Sequence, residues 1–146
     1  MNKFKFNLES LLVMREWEER RTHQALSETN AQVVQLQDRM KRLSSEKTKA
    51  FSGWDVAGAT RFSAMDRLNL NSQVAEIENQ TVEYRQQLGM ALADRARAIE
   101  ALSVATRRKR AVENLKEKRT QQHLADAYKE ESAEIEDIFN ARRRIS

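Results

Sequence analysis

Residues 26–50, LSETNAQVVQLQDRMKRLSSEKTKA, carry the pattern that decides the fold. Steps of three and four residues, taken alternately from Leu26, reach Val33, Leu36 and Leu43 and arrive at Ala50. Apolar side chains at an average spacing of about 3.5 residues mark a helix that buries one stripe against another helix. The stretch therefore predicts a coiled coil rather than a globular domain.

The same spacing extends over most of the chain in two tracts, and we call its positions the seam. Nine of fourteen seam residues in the first tract and ten of thirteen in the second are apolar, enough for each tract to bury its stripe. The first tract consists of Leu8, Leu12, Arg15, Glu19, Thr22, Leu26, Thr29, Val33, Leu36, Met40, Leu43, Lys47, Ala50 and Trp54. The second consists of Leu70, Val74, Ile77, Thr81, Tyr84, Leu88, Ala91, Arg95, Ala98, Leu102, Ala105, Lys109 and Val112.

Composition supports long helices. Charged residues make up 33% of the 146 residues and aromatic residues 6%, and the absence of proline removes the commonest reason for a helix to stop. The absence of cysteine excludes disulfides and zinc–thiolate sites and fits a reducing compartment. No apolar run approaches the roughly 18 residues of a membrane span. We therefore expect a cytoplasmic protein without direct membrane insertion.

A short break separates the two tracts at residues 51–60, FSGWDVAGAT. Gly53 and Gly58 allow the backbone to reverse, Thr60 is a candidate cap for the next helix, and Trp54 and Phe62 are expected to pack at the turn. Two tracts of similar length on either side of a short turn predict an all-α, antiparallel two-helix coiled-coil hairpin. The expected domain is a single hairpin over 1–146, with helix one over about 7–52, a turn at 53–60 and helix two over about 61–143.

A turn near residue 58 fixes the expected register. It places Glu19 opposite Arg95 and Leu43 opposite residues 72–74. After Val112 the heptad phase breaks, so helix two is expected to overhang its partner by roughly 30 to 40 residues. The overhang has its own apolar stripe, and two interpretations stay open for it: binding of a partner, or folding back or self-association. Its positions are Leu124, Tyr128, Glu131, Ile135, Ile138, Arg142 and Ile145.

Charge is segregated along the second tract. Residues 95–119 carry a net charge of +6, and residues 126–137 carry a net charge of −5. Blocks of one sign suggest docking to charged surfaces, because complementary charge sets the rate and orientation of encounter.

The chain lacks the residue patterns of a catalytic site. No glycine-rich phosphate loop is present, His23 and His123 belong to no metal-binding motif, and adjacent carboxylates point apart on a helix. We therefore predict no enzymatic activity, no cofactor and no metal. The basic run Arg107–Arg110 precedes no parallel zipper, and the net charge is only +4, so we also predict no nucleic-acid binding.

The chain resembles the FliJ family, the small coiled-coil components of the flagellar type III export apparatus. The resemblance covers nearly the whole chain and includes a hairpin of suitable size. Its sequence features are Phe4-x-Phe6-x-Leu8-x-x-Leu11-Leu12-x-x-Arg15-Glu16, the cluster Arg107-Arg108-Lys109-Arg110, and the acidic pair Glu136-Asp137.

This resemblance implies a stalk that binds the hexameric export ATPase, promotes its assembly and activity, and links it to the membrane export gate and to export chaperones. It places the protein in the cytoplasm, peripherally associated with the inner-membrane export apparatus that serves flagellar motility. The ATPase-binding residues that it implies are Leu12, Arg15, Arg20, Arg21, Arg107, Arg108, Arg110, Lys118 and Arg119.

The resemblance also implies a gate-binding stripe just after the turn, composed of Leu68, Ser72, Ala75 and Asn79. Spacings of four, three and four residues place these side chains on one helix face. The family tends to have bulkier groups in this stripe, whereas only Leu68 is large here. The alternatives are a stalk homologue of virulence-type injectisomes and a scaffolding coiled coil that self-associates.

Overall fold

The computed structural model describes residues 3–58 and 63–145 and contains two helices. Helix α1 spans Glu9–Gly58 and helix α2 spans Ala64–Ile145. The chain divides into two compact units. The terminal unit comprises Met1–Thr22 and Leu102–Ser146, and the central unit comprises His23–Ala101.

The two helices pack antiparallel in each unit. In the terminal unit Glu9 contacts Lys116 and Glu19 contacts Lys109. Residue numbers therefore rise along α1 as the numbers of their partners fall along α2. In the central unit Arg39 lies over Tyr84, and Lys47 forms an ion pair with Glu78. The protein is therefore an all-α helical hairpin, as the heptad pattern predicts.

The predicted seam is confirmed at every position whose side chain is described. Each seam residue from Leu8 to Ala50 and from Leu70 to Val112 is buried or half-buried. In the central unit the core consists of Val33, Leu36 and Ala91, with Tyr84 and Leu88 packed against it. Seam threonines satisfy their hydroxyl groups locally by donating to backbone carbonyl oxygens, for example Thr81 to Ile77 at 2.7 Å.

The expected register is wrong. Lys109 Nζ donates a hydrogen bond to Glu19 Oε1 at 3.0 Å, where Arg95 was expected. In the central unit Leu43 lines a groove with Glu78 and Thr81 rather than meeting residues 72–74. The core clusters, which join Leu12 with Val112 and Val33 with Ala91, place the facing residues about one heptad beyond the expected register. A slip by a whole heptad leaves every seam residue in the seam. Periodicity therefore allows several registers, and the position of the connection selects among them.

That connection lies later than the expected turn at 53–60. Helix α1 continues through Gly53 to Gly58, because one glycine costs a long helix only about 1 kcal/mol. Helix α2 starts at Ala64, where Ser63 and Asp66 form a reciprocal cap. Each backbone N–H donates to the other side chain at 3.1 Å. The expected cap Thr60 and the expected packing of Trp54 with Phe62 lie outside the described residues and side chains.

The expected phase break after Val112 is also wrong. Helix α2 keeps packing for about three more turns, because the segment that precedes α1 extends over it. The contacts are Leu115 with the cluster of Phe6, Leu12 and Val112, Lys116 with Glu9, Arg119 with Asn7, and His123 with Phe4. Of these four contacts, that between Phe4 and His123 lies farthest along α2. The overhang is therefore shorter than expected and comprises residues 124–145.

Candidate functional site

The terminal unit presents a basic surface. Helix α2 buries Ala105 and Val112 and leaves the side chains of Arg107, Arg110 and Lys118 exposed. Spacings of three and eight residues place these three cations on the helix face away from the seam. The predicted ATPase-binding residues include six exposed cations on the outer sides of both helices, and we call this set the basic surface. It consists of Arg20 and Arg21 on α1 and of Arg107, Arg108, Arg110 and Lys118 on α2.

The other three predicted residues make contacts inside the terminal unit. Leu12 is only 5% exposed, in the core with Phe6 and Val112. Arg15 donates a hydrogen bond to Glu18 at 3.0 Å. Arg119 donates to the amide oxygen of Asn7 and lies 5.8 Å from the centroid of the Phe6 ring. Leu12 and Arg119 therefore join the first residues of the chain to α2, whereas Arg15 pairs within α1.

Lys109 belongs to the same basic run in sequence and has a different role. Its ammonium group turns into the seam and pairs with Glu19, and the two side chains are 24% and 16% exposed. The hydrogen bond to Glu19 raises the pKa of Lys109, and partial burial opposes this shift. Lys109 therefore stays protonated at neutral pH and ties α1 to α2, while Arg107, Arg108 and Arg110 remain exposed.

The outer surface of α1 carries apolar side chains that the sequence reasoning missed. Val13, Met14 and Trp17 are each about half exposed, at 53%, 52% and 53%. The Arg21 guanidinium lies over Trp17, 5.4 Å from its ring centroid. Because Trp17 is four residues from Val13, three from Met14 and off the seam, the spacing alone could have revealed this patch. It supplies apolar area beside Arg20 and Arg21.

The predicted gate-binding stripe lies in the central unit, on the outside of α2. Leu68 is 62% exposed, and Ser72, Ala75 and Asn79 are exposed as well. The stripe is therefore accessible rather than part of the seam. Two large side chains missed in the sequence continue it at heptad spacing, namely Met65 at 66% and Val82 at 51% exposure. They lessen the shortage of large groups noted for this stripe.

A comparison with protein-family models finds the model described as "Flagellar FliJ protein", which matches residues 4–144. The chain belongs to the FliJ family. The match includes the N-terminal segment that covers α2, the basic surface and nearly all of residues 124–145. Comparisons with curated proteins and with solved structures gave no match.

Membership of the FliJ family makes the chain a component of the flagellar protein export apparatus. Within residues 3–58 and 63–145, no helix is long and apolar enough to cross a membrane. The same described residues contain no group of three or more His, Cys, Asp or Glu side chains arranged to hold a metal ion.

Proposed function

We propose that this FliJ-family chain is a non-enzymatic central stalk that binds and stimulates the hexameric export ATPase from the cytoplasmic side of the export apparatus. The observation that carries the proposal is the basic surface. Six cations of the terminal unit have exposed side chains, whereas Arg15, Lys109 and Arg119 are partly covered. The family match supports the export setting.

The basic surface and the apolar patch suit different parts of such an interaction. Exposed cations attract an acidic ring surface and orient the stalk during encounter, over a Debye length of about 8 Å at physiological salt. Val13, Met14 and Trp17 add apolar area that a protein partner can bury, and tryptophan is enriched among residues that dominate binding energy. Stimulation is therefore expected to weaken, but not vanish, as salt concentration rises.

The test measures ATP hydrolysis and the oligomeric state of the cognate export ATPase, with and without this protein. One variant carries Arg107→Glu, Arg108→Glu and Arg110→Glu. The matched control carries Lys41→Glu, Arg42→Glu and Lys49→Glu, three exposed cations of the central unit. Both variants change the net charge by the same amount, and circular dichroism checks that both stay helical.

The wild-type protein and the control variant are expected to raise the hydrolysis rate and favour hexamers, and the 107/108/110 variant is expected to lose both effects. Equal loss in both variants would indicate dependence on total charge and would contradict a local basic surface. Absence of stimulation and of co-migration with the wild-type protein would contradict the stalk function altogether.

We further propose that the exposed stripe of α2 contacts the membrane export gate and that the protein also binds export chaperones. For the gate, Leu68 is the strongest candidate contact, since it is large, apolar and 62% exposed. Leu68→Ala is expected to weaken binding of the gate's cytoplasmic domain in a titration, whereas Gln73→Ala, an exposed control off the stripe, leaves it unchanged. Equal binding by both variants would remove this stripe from the proposal.

A further inference from the structure

Residues 124–145 of α2 expose an apolar stripe at heptad spacing. Tyr128, Ile135, Ile138 and Ile145 are 73%, 67%, 58% and 88% exposed. Isolated exposed apolar residues are ordinary on a protein surface, but four large ones along a single heptad stripe form a surface that a second helix can bury. The structure shows this stripe uncovered, so the chemistry of its remaining positions must indicate the partner.

Two charged residues interrupt the stripe. Glu131 and Arg142 occupy heptad positions between the apolar ones, and both are exposed. A charge buried in a helix–helix interface without an opposite charge is strongly destabilising, whereas an opposite charge in the same layer offsets much of the penalty and fixes the register. Any helix that covers the stripe must therefore bring a cation to Glu131 and an anion to Arg142.

A second copy of the same segment meets this requirement in antiparallel orientation. When Ile135 of one copy faces Ile138 of the other, Glu131 faces Arg142 and Tyr128 faces Ile145. Twofold symmetry repeats each pair, so six consecutive layers from residue 128 to residue 145 are matched, with two apolar layers at the centre and an opposite-charge layer on each side. The segment is complementary to itself.

Other arrangements of two copies lack this match. In a parallel pair Glu131 faces Glu131 and Arg142 faces Arg142, which places like charges in two layers. A slip of seven residues in either direction from the antiparallel register sets Arg142 against an apolar side chain, Leu124 or Ile138, and leaves Glu131 without a cation opposite. Like charges or unpaired charges in an interface disfavour all of these arrangements.

We propose that residues 128–145 of α2 pair with the same segment of a second copy of this chain in that antiparallel register. Phe139, 64% exposed, lies beside the stripe, where Ser132 and Phe139 of the other copy would cover it. An interface of 18 residues on each side spans about 27 Å of helix. It lies at the small end for specific association, so the dimer is weak and depends on concentration.

The first test measures molecular mass by sedimentation equilibrium over a range of concentrations of the full-length protein. The mass is expected to rise from 17.0 kDa towards twice that value as concentration increases. Glu131→Arg and Arg142→Glu each put like charges in two symmetric layers, so each is expected to weaken dimerisation at least about a hundredfold. The control Glu130→Arg reverses an exposed charge next to the stripe and is expected to leave dimerisation unchanged.

The double exchange tests the register, and mixing of the two single variants tests the pairing of opposite charges. The double variant Glu131→Arg with Arg142→Glu restores opposite charges in the antiparallel dimer, while it leaves like charges facing each other in a parallel one. Rescue of dimerisation by this exchange is therefore expected. Equimolar mixing of the two single variants is expected to give a heterodimer although each alone is monomeric. Circular dichroism of all variants checks that a lower mass does not come from loss of helix.

A mass of 17.0 kDa at the highest soluble concentration would overturn the proposal. Dimerisation that the double exchange does not restore would overturn the antiparallel register. If the protein stays monomeric and the single reversals instead abolish stimulation of the export ATPase, the stripe is a docking surface for that enzyme and the proposal is wrong. The test needs no ATPase, so its result is independent of the proposed stalk function.

Discussion

Val33 and Ile135 are both β-branched residues at the same heptad position, yet Val33 is 1% exposed and Ile135 is 67% exposed. Val33 packs in a core with Leu36 of the same helix and Ala91 of the facing helix. Ile135 lies beyond the part of α2 that the N-terminal segment covers. Heptad spacing thus shows that a stripe has apolar surface to bury, and it leaves open what buries it. Val33 belongs to the hairpin, and Ile135 remains available for another molecule.

The largest expected effect contrasts matched leucine and isoleucine positions in the covered and uncovered stripes. Leu36→Ala removes a side chain that is 8% exposed and is expected to lower the free energy of unfolding by about 2 to 4 kcal/mol. Ile138→Ala removes a side chain that is 58% exposed and is expected to change the free energy of unfolding by less than about 0.5 kcal/mol in dilute protein. Urea unfolding measures both, and equal losses would contradict the distinction between the stripes.

A second comparison concerns two substitutions in α2 that enlarge a side chain, one inside the seam and one outside it. Ala91 is 2% exposed against Val33 and Leu36, so Ala91→Leu is expected to overpack the seam and destabilise the hairpin by about 1 to 3 kcal/mol. Gly89 has no atom within 4 Å of an added Cβ, so Gly89→Ala is expected to stabilise it by about 0.5 to 1 kcal/mol. Thermal unfolding measures both variants, and a stabilising Ala91→Leu would show that the seam is loosely packed there.

The seam ion pair tests the register within the covered stripe. A double-mutant cycle of Glu19→Gln and Lys109→Met is expected to show favourable coupling, because their side chains meet at 3.0 Å. The same cycle with Arg95→Met in place of Lys109→Met is expected to show none. Since the pKa of Lys109 is raised above 10.5, its contribution is full below that pH and disappears as pH rises through the higher folded-state pKa. Favourable coupling between Glu19 and Arg95 would instead support the register expected from the sequence.

The smallest expected effect concerns the cap at the start of α2. Hydrogen bonds from the backbone and the hydroxyl group of Ser63 lower the pKa of Asp66 below 3.8. The carboxylate therefore stabilises the cap above that pH, and the contribution is lost as pH falls through the lower folded-state pKa. NMR titration of Asp66 is expected to show the lowered pKa, and Ser63→Ala is expected to raise it. An identical titration in both proteins would contradict a contribution of the Ser63 hydroxyl group to the cap.

The sequence allowed most residues of the candidate site to be named, but it allowed fewer of their contacts to be predicted. The basic run Arg107–Arg110 and the stripe from Leu68 to Asn79 are visible in the sequence, and their exposed positions follow from the seam phase. The inward turn of Lys109 could be read from its seam position, but its pairing with Glu19 depends on the register. The role of Arg119 depends on the N-terminal segment, which has no heptad pattern to predict where it packs.

The sequence by itself determined which face of each helix is buried. Heptad periodicity repeats the same apolar position along the helix, and every described seam residue from Leu8 to Val112 is buried or half-buried as that repeat requires. The periodicity of the segment after His123 likewise indicated an apolar stripe, although not its occupant.

Only the tertiary structure decided the register and the extent of the covered stripe. A repeat of seven residues is unchanged by a slip of seven, so the spacing could not distinguish Arg95 from Lys109 as the partner of Glu19. The continuation of α1 to Gly58 and the cap at Ser63 selected the register, since moving a hairpin turn by a few residues shifts every facing pair by twice that number. Phe4 and Phe6, packing outside any helix, then decided how far along α2 the seam is covered.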